Sequence, residues 1–395
     1  MTKHFISLAL ISVSFAIGLI GFSSFQPLSV LILAVPILWT FAGSRYTAFL
    51  VMFTYNLAAS RGLFHGAAVF LSDNHTVVEA ACLWGAWVFG LSLPFGIFWS
   101  AERKRKTVLL VLAFMTAYVM PPFSLIGILN PLAASGWIFP NYGFGGLLAM
   151  IGLYALCVAD SRFAVAVLCV IALMPFEVGV SDSEGSVSGF MSINTSFGKL
   201  GSGSFAFESD FERASMVFAD LKKRVYGTSA DVIVLPETIA GRLNQAGLEL
   251  WKGEIQQIVS DDTAVIFGAE LPVGDGRKYD NAALMLYKGN LLFVSQRIPV
   301  PYSMWRPFSE TGANLHMLDG GVLVLPDGRR AAVVICYEAF LTWPWLVSMI
   351  HKPDVIISIA NLWWCKDTSI PVSMERFVQL WGRLFGVPVV MARNM

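Results

Sequence analysis

Three polar residues stand at the ends of strongly apolar runs: Glu237 follows Val232-Ile-Val-Leu-Pro236, Cys336 follows Ala332-Val-Val-Ile335, and Glu338 comes two residues later. Each run is short and β-branched and reads as a buried strand, and strand ends on a rigid sheet are where active-site groups are usually presented. A carboxylate beside a thiol suggests nucleophilic catalysis, in which the carboxylate takes the thiol proton and the thiolate attacks. Cys82, Cys157, Cys169 and Cys365 lack such a setting and read as packing residues. No CxxC pair occurs, the five histidines (His4, His65, His75, His316, His351) have no metal-ligand spacing, and no serine nucleophile elbow is present. No metal and no cofactor is expected.

The two strands belong to a series over 190–395, with further β-branched or apolar runs at 264–267, 282–287, 291–294, 322–325, 354–359 and 387–391 alternating with helix-like segments. That alternation predicts a layered α/β domain, and Lys288-Gly289-Asn290 reads as a hairpin turn inside it. The first 180 residues differ in kind. Hydrophobic residues make up 56% of the chain, and seven apolar stretches, roughly 5–22, 27–43, 46–60, 77–100, 107–129, 142–158 and 163–180, predict a polytopic helical membrane domain over 1–180. Lys3, Arg45, Arg103-Lys104-Arg105-Lys106 and Arg162 fall on one side of that arrangement, with Arg61 dissenting. Positive loops stay cytoplasmic, so the α/β domain is expected in the periplasm, tethered to the inner membrane of a Gram-negative cell. A hydrophilic stretch beginning Ser181-Asp182-Ser183 reads as a linker over 181–189. With 27 basic and 27 acidic residues, no direct nucleic-acid binding is expected.

Leu235-Pro236-Glu237, Val334-Ile335-Cys336-Tyr337-Glu338 and Ile359-Ala360-Asn361-Leu362-Trp363-Trp364 resemble, in order, the glutamate, cysteine and following strand motifs of the carbon-nitrogen hydrolase (nitrilase) superfamily. The similarity continues from Glu375-Arg376-Phe377 through Gly386 to Asn394, as in the apolipoprotein N-acyltransferases, which also join a helical membrane region to a periplasmic domain of this kind. The resemblance implies an αββα sandwich and a Glu-Lys-Cys triad: a glutamate base, a lysine on the oxyanion, and a cysteine that becomes an acyl-thioester. Glu237 and Cys336 match. The lysine position falls on Arg297, or on Gln296 if the register slips by one, and an arginine fork is not equivalent to an ammonium. Tyr337 is expected to offer its backbone N–H to the oxyanion, Glu338 to buttress the cysteine loop, and Glu310, in Pro307-Phe308-Ser309-Glu310, to support the site. Tyr302, Trp305, Trp363 and Trp364 are candidate substrate-binding residues at an entrance for an acyl chain.

The expected partners are membrane lipids, with a phospholipid acyl donor and an amine acceptor. By size and shortened end the chain resembles the TraB proteins of plasmid conjugal transfer more than the housekeeping acyltransferases. Two other readings stand beside the enzyme: a non-catalytic membrane component of a conjugation or envelope assembly that keeps the fold, and a periplasmic amidase with a membrane anchor.

Overall fold

The computed structural model describes residues 2–23, 26–71, 77–128, 130–177, 187–198, 210–225 and 228–395. Its α-helices in chain order are α1 (Thr2–Gly21), α2 (Val35–Thr40), α3 (Arg45–Ala59), α4 (Arg61–Leu71), α5 (Val77–Ile97), α6 (Arg103–Phe114), α7 (Ser135–Ile138), α8 (Gly143–Ala159), α9 (Ser161–Glu177), α10 (Asp210–Val225), α11 (Gln245–Ile258), α12 (Thr342–Ile350) and α13 (Ile370–Phe385). The chain folds as two compact units. The first comprises Met1–Ser183, Phe340–Trp343 and Cys365–Gly386, and the second Glu184–Ala339, Pro344–Trp364 and Val387–Met395. The linker expected at 181–189 lies outside the described residues up to 186.

In the first unit all seven apolar stretches carry helix over their described residues, but fewer of them than the seven expected form a single long helix. Among the described residues only Lys3–Gly21 and Val77–Ile97 are long and apolar enough to cross a bilayer, and a third candidate, Pro131–Ile138 with Gly143–Ala159, is bent by 108°. The reasons are local. The stretch after residue 26 runs as a tight 3-10 helix over Gln26–Ala34 before α2, and α6 passes into a π turn, Met115–Val119, just ahead of Pro121-Pro122. A helix of 15 residues such as α3 spans only about 22 Å, short of a hydrocarbon core of about 30 Å. Two of the basic residues used to read topology also have structural tasks. Lys106 is buried, donates to the carbonyl of Ala42 at 3.4 Å and to that of Thr40 at 2.5 Å, and lies between the Trp39 and Trp99 rings. Arg61 donates to the carbonyls of Ala58 and Phe22, at 2.9 and 3.3 Å.

One segment from the far end of the sequence belongs to this helical unit. Helix α13 buries Met374, Phe377, Leu380, Trp381 and Leu384 along one face, the i, i+3, i+4 pattern of an amphipathic helix. Phe377 packs on Phe22 with ring centroids 5.7 Å apart. Arg376 is 2% exposed and donates to the carbonyls of Gly21 and Ser23, each at 2.9 Å. A guanidinium there caps the negative end of α1.

Among the described residues the second unit has ten strands: β1 (Phe190–Ser192), β2 (Val232–Val234), β3 (Ala264–Val273), β4 (Lys278–Tyr287), β5 (Asn290–Ser295), β6 (Gly312–Ala313), β7 (Val322–Val324), β8 (Arg330–Ile335), β9 (Val355–Asn361) and β10 (Val389–Asn394). They form two sheets, one in the order β1-β2-β3-β4-β5 with β6 beside β4, the other β10-β9-β8-β7. The sheets lie against each other, β2 near β10, β4 near β8 and β5 near β7. Helices α10 and α11 cover the first sheet through Val217, Phe218, Leu221, Trp251 and Ile255, which pack on Ile233, Leu235, Phe267, Ala282 and Leu284. Side chains alternate along a strand, so Asn281, between Ala282 and Asp280, is turned the other way, toward the second sheet. Strands β4 and β5 pair Tyr287 with Asn290, and Lys288 and Gly289 turn between them at φ of 49° and 74°, the two positive values of a type I′ hairpin.

Candidate active site

Glu237 and Cys336 meet. They follow parallel strands of different sheets: Glu237 comes after β2 and the residues Leu235-Pro236, Cys336 directly after β8. Glu237 is 3% exposed and Cys336 6%. The Glu237 carboxylate accepts from the Cys336 thiol, from Asn281 Nδ2 at 2.7 Å and from the backbone N–H of Asn361 at 2.8 Å. Burial pushes the Glu237 carboxyl up to about 7, against the lowering effect of these three donors and with a smaller upward push from Glu270. A base with that affinity for protons is matched to work near neutral pH.

The backbone is unusual at Cys336 and at the residue after Glu237. Cys336 has φ 51° and Thr238, next to the base, φ 53°; such left-handed positions cost a non-glycine residue about 1–3 kcal/mol and concentrate at functional sites. Cys336 opens a 3-10 turn, Cys336–Phe340, that also holds the buried Tyr337 and Glu338. The turn of Glu237 closes over Gly268 on β3, where a Cβ would stand 2.5 Å from Glu237 Cα and 2.4 Å from Thr238 N. Gly268→Ala should therefore displace Glu237: any reaction that depends on its contact with Cys336 should slow about 100-fold, the loss typical of a misplacement of 1 Å, while circular dichroism shows the fold retained.

A row of asparagines fixes the far side of the site. Asn361, ending β9, donates from Nδ2 to Thr238 Oγ1 at 2.8 Å and accepts from Asn394 Nδ2 at 2.8 Å, and Asn394 Oδ1 accepts from Thr195 Oγ1 at 2.9 Å. Register sets this up, because Asn361 and Asn394 are direct partners in β9 and β10.

Arg297 is not brought to the thiol. It is fully buried, and its five N–H groups are all used: Nε on Glu338 Oε1 at 3.3 Å, Nη2 on Glu338 Oε2 at 3.0 Å and Val333 O at 2.9 Å, and Nη1 on Pro344 O at 2.9 Å and on Ser348 Oγ. Glu338 in turn accepts from the backbone N–H groups of Arg297, Ile298 and Ile335, the last at 3.2 Å, and so braces the strand end before Cys336. The residue at the site is Gln296. Its Oε1 accepts from Asn281 Nδ2 at 2.9 Å and its Nε2 donates to Ile335 O at 3.0 Å, the carbonyl preceding Cys336. The slip has a simple origin: Gln296 N–H still bonds to Asn281 O at 2.6 Å, which extends β5 by a residue and turns side chains 296 and 297 to opposite sides.

Glu310 is also placed elsewhere, on the surface with its side chain 78% exposed and paired with Arg277. Tyr302 and Trp305 sit on an outer loop joined by the bond from Tyr302 N to Trp305 O at 2.8 Å. Trp364 donates from Nε1 to Asn361 O at 3.2 Å, one residue removed from Glu237; Trp363 is half-buried beside it.

No family model matches the chain. Known proteins do. An apolipoprotein N-acyltransferase from Sinorhizobium medicae is 23% identical over 188 residues, 42% of this chain and 35% of its own length. Among solved structures, an amidase from Nesterenkonia sp. AN1 is 12% identical with a TM-score of 0.39, covering 52% of this chain and 78% of that one. A probable conjugal transfer protein TraB from Sinorhizobium fredii is 31% identical over 389 residues, 96% of each chain, and the conjugal transfer protein TraB of Agrobacterium fabrum is 30% identical over 402 residues, 98% of this chain and 92% of the other. Similarity of that extent along the whole length, helical and α/β parts together, means that the chain belongs to the TraB family of conjugal transfer proteins.

Proposed function

We propose that this protein is a membrane-embedded enzyme of the carbon-nitrogen hydrolase type that transfers or cleaves acyl groups through a thioester on Cys336, in the service of plasmid conjugal transfer. The observation that carries the reading is the buried contact of Cys336 with Glu237. In the reaction, Glu237 takes the thiol proton as sulfur attacks an ester or amide carbonyl, the Tyr337 N–H faces the oxyanion, and an amine or water releases the acyl group. The apolar helices α1 and α5 and the basic loops favour the inner membrane with the α/β unit in the periplasm. A phospholipid is then the acyl donor at hand, and Trp363 and Trp364 flank its chain. Incubation of detergent-purified protein with a phospholipid or an activated ester should give a mass increment of one acyl group on the Cys336 peptide, absent in Cys336→Ala. No adduct with any donor would sink the proposal.

One observation favours a second reading, a non-catalytic component of the transfer apparatus: Arg297 is spent on Glu338, and the carboxylate's partners are a carboxamide, an amide N–H and a thiol, none of them a cation. If Cys336→Ala and Glu237→Gln strains transfer plasmid as well as wild type, that reading replaces the enzyme.

A further inference from the structure

The neutral side chain beside the nucleophile has a chemical consequence. Asn281 Nδ2 uses both hydrogens, on Glu237 Oε1 and Gln296 Oε1. Because Asn281 must turn nitrogen toward the carboxylate, Gln296 must turn oxygen toward Asn281, and its Nε2 is thereby aimed at Ile335 O beside Cys336. All three side chains are 3% exposed or less, so the arrangement is held without solvent. Nε2 carries two hydrogens. Ile335 O takes one.

Resting on the acyl-transfer reading above, we propose that Gln296 is the side-chain donor to the oxyanion and that the site is therefore built for oxygen esters rather than carboxamides. A neutral N–H donor is about half as strong as a charged one, so less of the barrier is removed at the carbonyl. An ester carbonyl, more electrophilic than an amide, tolerates this; an amide, held by resonance and with a poorer leaving group, does not. Atom by atom, the thiol proton passes to the Glu237 carboxylate, the S–C bond forms, and the carbonyl π pair moves to oxygen, where the Gln296 N–H meets it. Collapse breaks the C–O bond, and the departing alkoxide takes the proton back from Glu237. The products are an alcohol and the Cys336 thioester.

The test compares 4-nitrophenyl butyrate with the matching 4-nitroanilide in single-turnover acylation of the full-length protein in detergent. Wild type should acylate from the ester at least about 100-fold faster than from the anilide, and Gln296→Met, similar in size but without a donor, should lower ester acylation about 100-fold, the loss typical of removing one oxyanion donor. Gln296→Lys should narrow the ester-to-anilide ratio about tenfold; Gln296→Met decides the matter if the buried lysine prevents folding. Ester acylation in Gln296→Met within about threefold of wild type, with Cys336→Ala inactive, overturns this assignment and leaves the acyl-transfer reading standing. Acylation from neither donor, or undiminished in Cys336→Ala, overturns both.

Discussion

On the proposed acyl-transfer reading, Glu237→Gln is expected to lower kcat/KM by about 10²–10⁴-fold, the range for loss of a positioned general base, and to abolish the acid limb of the pH profile. In wild type that limb has its midpoint near pH 7, because burial raises the carboxyl to about 7. Below the midpoint the carboxyl holds a proton and cannot accept another from sulfur, so the rate falls tenfold per pH unit. Stability moves the opposite way. A carboxyl raised from 4.5 to about 7 in the folded protein contributes stability that is complete below its ordinary value and is lost as pH rises through about 7. A carboxamide at this position does not titrate, so the melting temperature of wild type should decline relative to that of Glu237→Gln between about pH 5 and pH 8. Parallel curves across that window would show that the carboxyl titrates in its ordinary range.

The largest effect on stability is expected at Glu338. Its side chain is 1% exposed and Arg297's is 0%, and a pair so placed is costly to break from one side: Glu338→Ala should reduce the unfolding free energy by about 3–5 kcal/mol. The mutation leaves more than an unpaired guanidinium. The N–H groups of Arg297, Ile298 and Ile335 lose their acceptor as well. Glu338→Gln keeps one oxygen for them and should cost less. Urea unfolding followed by tryptophan fluorescence measures both, and a loss for Glu338→Ala under about 1 kcal/mol would contradict a bracing role. The same clamp separates two adjacent residues by task, since Gln296 bonds the strand end before Cys336 while Arg297 holds Glu338 and Val333 behind it.

The strand ends are the legible part of this site. Glu237 and Cys336 announce themselves as polar residues after β-branched runs; β8 ends directly before Cys336 and β2 three residues before Glu237. Gln296 against Arg297 is not legible, because one more residue of pairing on β5 exchanges their sides and the decisive bond, from Gln296 N to Asn281 O, is main-chain. Asn281 leaves a faint signal, a polar residue opening the apolar run to Tyr287. Gly268 leaves none, since its need is the backbone of Glu237 passing at contact distance. The apolar stretches of the first unit give helices, but composition does not say where prolines and 3-10 turns shorten them. Nor does it say that α13, which lies within the span of the α/β domain, docks its apolar face and Arg376 in the helical unit.

The most direct measurement is the rate at which iodoacetamide alkylates Cys336, followed against pH by mass spectrometry of its peptide in wild type and Glu237→Gln. If the thiol gives its proton to Glu237, the wild-type rate steps upward around pH 7 and the variant lacks that step. Superimposable curves would mean that the carboxylate does not serve the sulfur, and the nucleophile–base pair would have to be given up.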